Sequence, residues 1–157
     1  HRVDRRQRQM CIRDRLRGTV EELDMRAAKK AIEVSTIGAL SVAKEAATRM
    51  LIRGSGSIFF TGASASVKGF ANSSVFAVGK FGLRGLAQSL ARELHPKNIH
   101  IGHFVVDGQI SPPLDTNNEL DSKLISDEIA NAYLHMHRQH RSVWSWEIEL
   151  RPWVERF

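Results

Sequence analysis

Ser57-Ile58-Phe59-Phe60-Thr61-Gly62 is the stretch on which the fold of this chain turns. It is short, glycine-bounded and apolar on both faces, so it predicts a buried parallel strand rather than a strand with one wet side. Upstream, Ala27, Ala31, Val34, Gly38, Leu40, Val42, Ala46 and Met50 recur at three- and four-residue steps between Val20 and Ile52, with no proline. That spacing predicts one long helix. Arg49 and Arg53 suit its C-terminus, and Gly54 is its expected terminator. Downstream, residues 62–73 are rich in Gly, Ala and Ser and predict a loop. Ser73 or Ser74 is the expected cap of a second long helix running to about Leu94. Its apolar face is assigned to Val78, Phe81, Leu83, Leu86, Leu90 and Leu94. Gly79, Gly82 and Gly85 each cost a helix about 1 kcal/mol relative to alanine, so close backbone packing is expected there. Pro96 ends the helix, and His100-Ile101-Gly102-His103-Phe104-Val105-Val106 predicts a second buried strand. A loop with Pro112 and Pro113 follows, then a short helix near Asp127–His137. Residues Trp144 to Leu150 alternate in a way that predicts a final, edge-like strand.

The order is α-β-α-β-α-β, which implies parallel β-α-β units with right-handed crossovers. Three strands are few for a doubly wound sheet, and the first element is a helix with no strand before it. The expected fold class is therefore α/β: a partial Rossmann-like parallel sheet with flanking helices, its N-terminal strands missing.

Composition narrows the function. No apolar run reaches the roughly 18 residues that a membrane helix needs. The start, HRVDRRQRQMCIRDRLRG, has no apolar segment of the secretory kind. Cys11 is the single cysteine, which excludes an internal disulfide framework, and a cytoplasmic location is expected. The net charge of +6 is concentrated: residues 1–18 hold seven of the 23 basic residues and two of the 17 acidic ones, leaving 16 against 15 elsewhere. The body is neutral, which argues against nucleic acid as a partner. The tail is open to three readings: an arginine-rich phosphate-binding arm, a disordered terminus, or non-native sequence. Gln9-Met10-Cys11-Ile12-Arg13-Asp14-Arg15 resembles translated sequencing-adapter DNA, and the third reading is favoured. Residues 1–18 are thus set apart from a domain at 19–157.

From Gly56 to Ile110 the order and spacing of elements resemble the second half of the short-chain dehydrogenase/reductase family. The residues that carry the resemblance are Ile58-Phe59-Phe60-Thr61-Gly62-Ala63-Ser64, then Phe76-Ala77-Val78-Gly79-Lys80, then Gly85-Leu86-Ala87-Gln88-Ser89-Leu90-Ala91-Arg92-Glu93-Leu94. Ile99-His100-Ile101 leading to Asp107-Gly108, and the closing Leu150-Arg151-Pro152-Trp153, extend it. The resemblance implies hydride transfer between NAD or NADP and a carbonyl or alcohol substrate. It also implies a homo-oligomer assembled through the two long helices.

In that family a tyrosine and a lysine four residues apart share one helix face and point into one cleft. The lysine lowers the phenol's pKa and holds the nicotinamide ribose, the phenol exchanges a proton with the substrate oxygen, and a serine and an asparagine assist. Carried over, the lysine is Lys80, and the tyrosine position is Phe76, which has no proton to give. The serine position falls on Ala63, with Ser64 and Ser66 one and three residues later; Ser64 is the candidate. The asparagine position is Ser35. Asp107 and Gly108 stand at the family's Pro-Gly turn, and with Lys80 and Ile110 they are the expected cofactor-facing residues. The alternative role of Lys80 is a solvated helix lysine, that of Phe76 core packing, and that of Ser64 a plain loop serine.

The phosphate-cradling glycine loop must follow a strand and open a helix, whereas Gly54-Ser55-Gly56 follows a helix and precedes a strand. No pyrophosphate site is therefore expected in this chain. His135, His137 and His140 share a helix face poorly, so no metal is expected. Trp144, Trp146 and Trp153 are assigned to core or subunit contacts. Three functions compete: a fragment of an NAD(P)-dependent oxidoreductase, itself inactive; a catalytically degenerate ligand-binding or dimerisation scaffold; and a basic-arm nucleic-acid binder, disfavoured because it rests on the tail alone.

Overall fold

The computed structural model describes residues 16–111 and 121–155. The tail at 1–15 and the proline loop at 112–120 lie outside the described residues. Helix α1 (Met25–Ile32) opens on Asp24, whose side chain accepts from the Arg26 N–H. A π-helical turn, Glu33–Ile37, joins it to α2 (Gly38–Arg53), which ends on Gly54 in the left-handed conformation at φ 79°. The single helix expected from Val20 is thus later in starting, since Val20–Glu22 forms a separate 3-10 turn, and it is interrupted in the middle. Strand β1 (Gly56–Thr61), helix α3 (Ser74–Leu94), strand β2 (Ile99–Val106), helix α4 (Ser126–Arg138) and strand β3 (Glu147–Leu150) follow.

The three strands pair in parallel in the order β1-β2-β3, with Phe60 opposite His103 and His103 opposite Glu147. Side chains alternate across β2. Ile99 and Ile101 face α2 and α3, joining Phe60, Leu83, Ala87, Ala91 and Leu94 in one core. Gly102 faces α4: a Cβ there would lie 2.3 Å from Met136 Sδ. Phe104, fully buried, stacks on Tyr133 of the same helix at 3.6 Å between ring centroids. Helices therefore cover both faces of a parallel sheet, as parallel strands require, and the fold is α/β with a partial Rossmann-like sheet. Burial of a side chain the size of Phe104 or Leu94 contributes roughly 1.5–3 kcal/mol.

Several local expectations need correction. Strand β1 is an edge of this sheet and only Phe60 on it is buried, because β2 is its one paired neighbour among the described residues. The buried face of α3 is Val75, Gly79, Leu83, Ala87, Ala91 and Leu94. Val78 and Phe81, expected on that face, are exposed, as are Val34, Leu40 and Val42. Small residues carry the contact instead: Ala28, Ala31, Ala43 and Ala47 are the buried positions of α1 and α2. Ser73 holds the cap position of α3 without a capping side-chain hydrogen bond. The last strand is confined to Glu147–Leu150. Trp144 precedes it, its ring stacked on His100 at 4.5 Å, and Trp146 packs against the core, whereas Trp153 is exposed.

Of the three helix glycines, two sit in close contacts. A Cβ at Gly79 would approach Ser35 Oγ to 2.5 Å and one at Gly82 would meet Thr36 Cγ2 at 3.1 Å, while Gly85 has open space around it. The π-helical turn that carries Ser35 and Thr36 is what α3 packs upon, and Thr36 Oγ1 donates to the Gly79 carbonyl at 2.9 Å.

Candidate active site

In an open parallel sheet, ligands bind beyond the carboxyl ends of the strands. Here those ends are Thr61-Gly62 after β1, Asp107-Gly108 after β2 and Arg151 after β3. A cleft of about 550 Å³ opens there, and its lining includes Ser64, Lys68, Phe76, Asp107, Gly108 and Arg17. Four of the residues singled out from sequence thus meet at one place. Ser64 arrives on the 3-10 turn Ser64–Ser66, and Phe76 on the first turn of α3. Gly108, at φ 147°, has a backbone conformation that disfavours any side chain, and a Cβ would lie 2.7 Å from Pro152 Cδ.

Lys80 and Ser35 line a neighbouring recess of about 360 Å³ beside β1, together with Phe60 and Thr61. Lys80 Nζ donates to the Thr61 carbonyl at 3.3 Å and lies 5.6 Å from the centre of the Phe76 ring. The ammonium thus stands at the end of β1, next to the ring that occupies the tyrosine position. Ser35 turns its hydroxyl back on its own helix, donating to the Ala31 carbonyl at 2.9 Å. Ile110 is set apart from both recesses, half-exposed and bridged to Leu124.

Two charged clusters brace these strand ends. Asp107, buried, accepts from Lys68 Nζ at 3.1 Å and pairs with an Arg151 terminal nitrogen at 3.2 Å. Beneath the serine loop, His103 is fully buried, and its Nδ1 lies 2.9 Å from Glu147 Oε2. Arg84 grips the same carboxylate with two hydrogen bonds of 2.7 Å. Burial pushes the His103 pKa below its ordinary value, only partly offset by Glu147. Burial pushes Glu147 up, but the hydrogen bonds from Arg84 and His103 outweigh it and hold the carboxyl below its usual range. A neutral imidazole that donates from Nδ1 to an ionised carboxylate satisfies both directions. Its Nε2 then faces Gly62 with no hydrogen-bond partner among the described residues, near Ser66, whose Oγ accepts from the Ala63 N–H at 3.1 Å.

Sequence reasoning passed over Lys68, Arg84, His103, Glu147 and Arg151. The alternation of the last strand puts Glu147 and Glu149 on one face, which marks a charged face without naming its partners. His137, weighed as a metal ligand, instead lies with Nδ1 3.0 Å from Ser57 Oγ.

Comparison with known proteins agrees with this architecture. A family model described as short chain dehydrogenase matches residues 15–121. The chain is 31% identical over 120 residues to the 3-dehydrosphinganine reductase of Danio rerio, covering 74% of this chain and 36% of that protein. It is 33% identical over 98 residues to the trans-4-hydroxycyclohexanecarboxylate dehydrogenase of Sinomonas cyclohexanicum, covering 62% of this chain and 37% of that one. Among solved structures, a short-chain dehydrogenase from Rhodopseudomonas palustris superposes with a TM-score of 0.73 at 36% identity, over 87% of this chain and 57% of the other. A 4-hydroxyisoleucine dehydrogenase complexed with NADH, at 19% identity and a TM-score of 0.76, shares the fold. The chain spans little more than a third of the length of these two curated relatives. With the strand order, the cleft at the strand ends and a family match over most of its length, the chain belongs to the short-chain dehydrogenase family of oxidoreductases.

Proposed function

We propose that the chain is the C-terminal part of an NAD(P)-dependent oxidoreductase that interconverts a carbonyl compound and an alcohol. The observation that carries this reading is the position of Lys80: its ammonium stands at the carboxyl end of β1, 3.3 Å from the Thr61 carbonyl, one helical turn after the residue at the tyrosine position. The groups present suit the nicotinamide-ribose end of such a cofactor. Lys80 offers an ammonium to ribose hydroxyls from the recess beside β1, and the exposed backbone of Gly108 closes the end of β2 in the neighbouring cleft. When bound, the cofactor would supply the hydride. We assign the loop that holds its pyrophosphate to sequence outside this chain, because Gly54-Ser55-Gly56 ends a helix and precedes a strand. The small share of each relative's length that the chain spans supports this assignment.

On this reading the 157 residues alone do not turn over substrate. Phe76 has no proton to exchange, and Ser35 spends its hydroxyl on the Ala31 carbonyl. The exposed apolar positions Val78 and Phe81 on α3, with Ile37 at the end of the π-helical turn and Leu40 on α2, support self-association through the two long helices. No helix among the described residues is long and apolar enough to cross a membrane.

The test is NADH and NADPH binding, followed by nucleotide fluorescence, together with carbonyl reduction by the natural protein that carries this sequence. Binding with turnover supports the reading. Binding without turnover, even after Phe76→Tyr, favours a ligand-binding scaffold, and absence of binding removes the oxidoreductase reading.

A further inference from the structure

Resting on the oxidoreductase reading, we propose that Lys68 is the catalytic proton donor of this cleft, taking the place that Phe76 leaves empty. The cleft at the strand ends needs a group with an exchangeable proton wherever a carbonyl becomes an alcohol. Phe76 lines that cleft with a bare ring, and Lys68 lines the same cleft. The lysine side chain is 39% exposed, while the carboxylate that holds it, Asp107, is 6% exposed and 3.1 Å away. An ammonium has three N–H donors. One goes to Asp107, and among the described residues the Nζ has no other hydrogen-bond partner.

The holding arrangement is what separates Lys68 from an ordinary surface lysine. It follows the 3-10 turn that carries Ser64, and its own backbone N–H donates to the Ser64 carbonyl at 3.0 Å, so it is fixed to the serine loop. Asp107 is itself anchored by Arg151, which lies 3.2 Å from the same carboxylate oxygen that accepts from Lys68. A flexible four-carbon stem is thereby given one preferred end point, on the wall of the cleft between the β1 and β2 strand ends. Arg17 also lines the cleft, but a guanidinium does not release a proton in proteins.

The chemistry balances. With a bound dihydronicotinamide as reductant, the donor's C–H bond would break to leave the oxidised nicotinamide, the carbonyl carbon would gain the hydride, and its C=O π pair would move to oxygen. The oxygen takes a proton from Lys68, so the N–H bond breaks and an O–H bond forms. The nitrogen keeps the electron pair as a neutral amine, beside Asp107, and regains a proton from water. In the reverse direction the neutral amine accepts the alcohol proton.

The experiment uses the natural protein that carries this sequence, with cyclohexanone as a neutral ketone small enough for the cleft. Lys68→Arg keeps the charge and the pairing with Asp107 but gives no proton. We expect it to leave nucleotide binding and the melting temperature unchanged while kcat for ketone reduction falls by about 10²–10⁴-fold. Adding Phe76→Tyr to Lys68→Arg is expected to restore part of that loss. Independently of turnover, the Nζ resonance of Lys68 in lysine-¹⁵N-labelled protein, assigned by its loss in Lys68→Arg, is expected to move on addition of cyclohexanone. Wild-type kcat in Lys68→Arg, or an unmoved Nζ resonance, overturns the proposal while leaving the oxidoreductase reading intact. Failure of the wild-type protein to bind any nicotinamide nucleotide removes the oxidoreductase reading, and with it this one.

Discussion

Nδ1 of His103, on the central strand, lies 2.9 Å from Oε2 of Glu147 on its neighbour, tying a fully buried imidazole to a carboxylate that Arg84 also grips. This relationship fixes how stability responds to acid. The pKa values of His103 and His100 are both lowered, burial being the largest cause in each case. Between those lowered values and the ordinary 6.5, the unfolded chain binds more protons than the folded one, so stability rises with pH across that window. The contribution is complete above 6.5 and is lost as pH falls toward the folded values. Glu147 adds to this lower down: its folded pKa is depressed, so its contribution is present above the ordinary 4.5 and lost as pH falls below it. Urea midpoints at about pH 7.5 and about pH 5.5 measure the histidine part. A clear fall at the lower pH is expected, and a smaller one in His103→Gln. An unchanged midpoint in the wild type would contradict the assignment of neutral imidazoles.

Removing the carboxylate tests the same cluster from its other end. Glu147→Ala leaves the His103 Nδ1–H buried without an acceptor, which costs about 1–3 kcal/mol. Glu147→Gln keeps an acceptor oxygen and is expected to cost less. If both variants unfold at the wild-type urea midpoint, the contact contributes nothing.

The helix glycines predict a sign as well as a size. Gly85 is exposed and a Cβ there would meet nothing within 4 Å, so Gly85→Ala recovers the helix cost of glycine and stabilises by about 0.5–1 kcal/mol. Gly79→Ala gains the same propensity but drives a methyl to 2.5 Å from Ser35 Oγ. It disturbs the hydroxyl that bonds Ala31, so no net gain is expected. Thermal melts of the two variants decide it, and equal shifts would mean that the α3 contact with the π-helical turn is loose.

How far the sequence went can be judged from particular elements. Strand β2 was legible because it is central: apolar on both faces, it reads the same whichever side packs. The end of α3 at Leu94 was legible from Pro96 two residues on. The helix faces were not, since the contact surfaces of α1, α2 and the start of α3 are built from alanine and glycine. Larger residues such as Val42 and Val78, which dominate any apolar stripe, point outward. Ser64, Phe76 and Asp107 of the cleft, and Lys80 of the recess beside it, could be placed because the family resemblance runs along one continuous segment. Lys68–Asp107, His103–Glu147 and Arg84–Glu147 bridge 39, 44 and 63 residues of chain. Charge pairing over such separations exists only once the strands are side by side.

Gly62 offers a test of whether the serine loop rests on His103. Its backbone is outside the left-handed region, so alanine is conformationally acceptable there, and any cost is steric. The added Cβ would lie 2.3 Å from His103 Nε2 and 2.6 Å from Ser66 Oγ. His103 is fixed by Glu147 and cannot swing away without giving up that contact. Overpacking of this kind costs about 1–3 kcal/mol. With His103→Ala in the background the obstruction is gone, and Gly62→Ala becomes nearly neutral, a coupling in the range of about 0.5–3 kcal/mol expected for residues in contact. Urea denaturation of the four proteins in this cycle measures the coupling directly. Equal costs of Gly62→Ala in both backgrounds would show that the loop is supported by Ser66 alone, and that the imidazole beneath the cleft does not set its position.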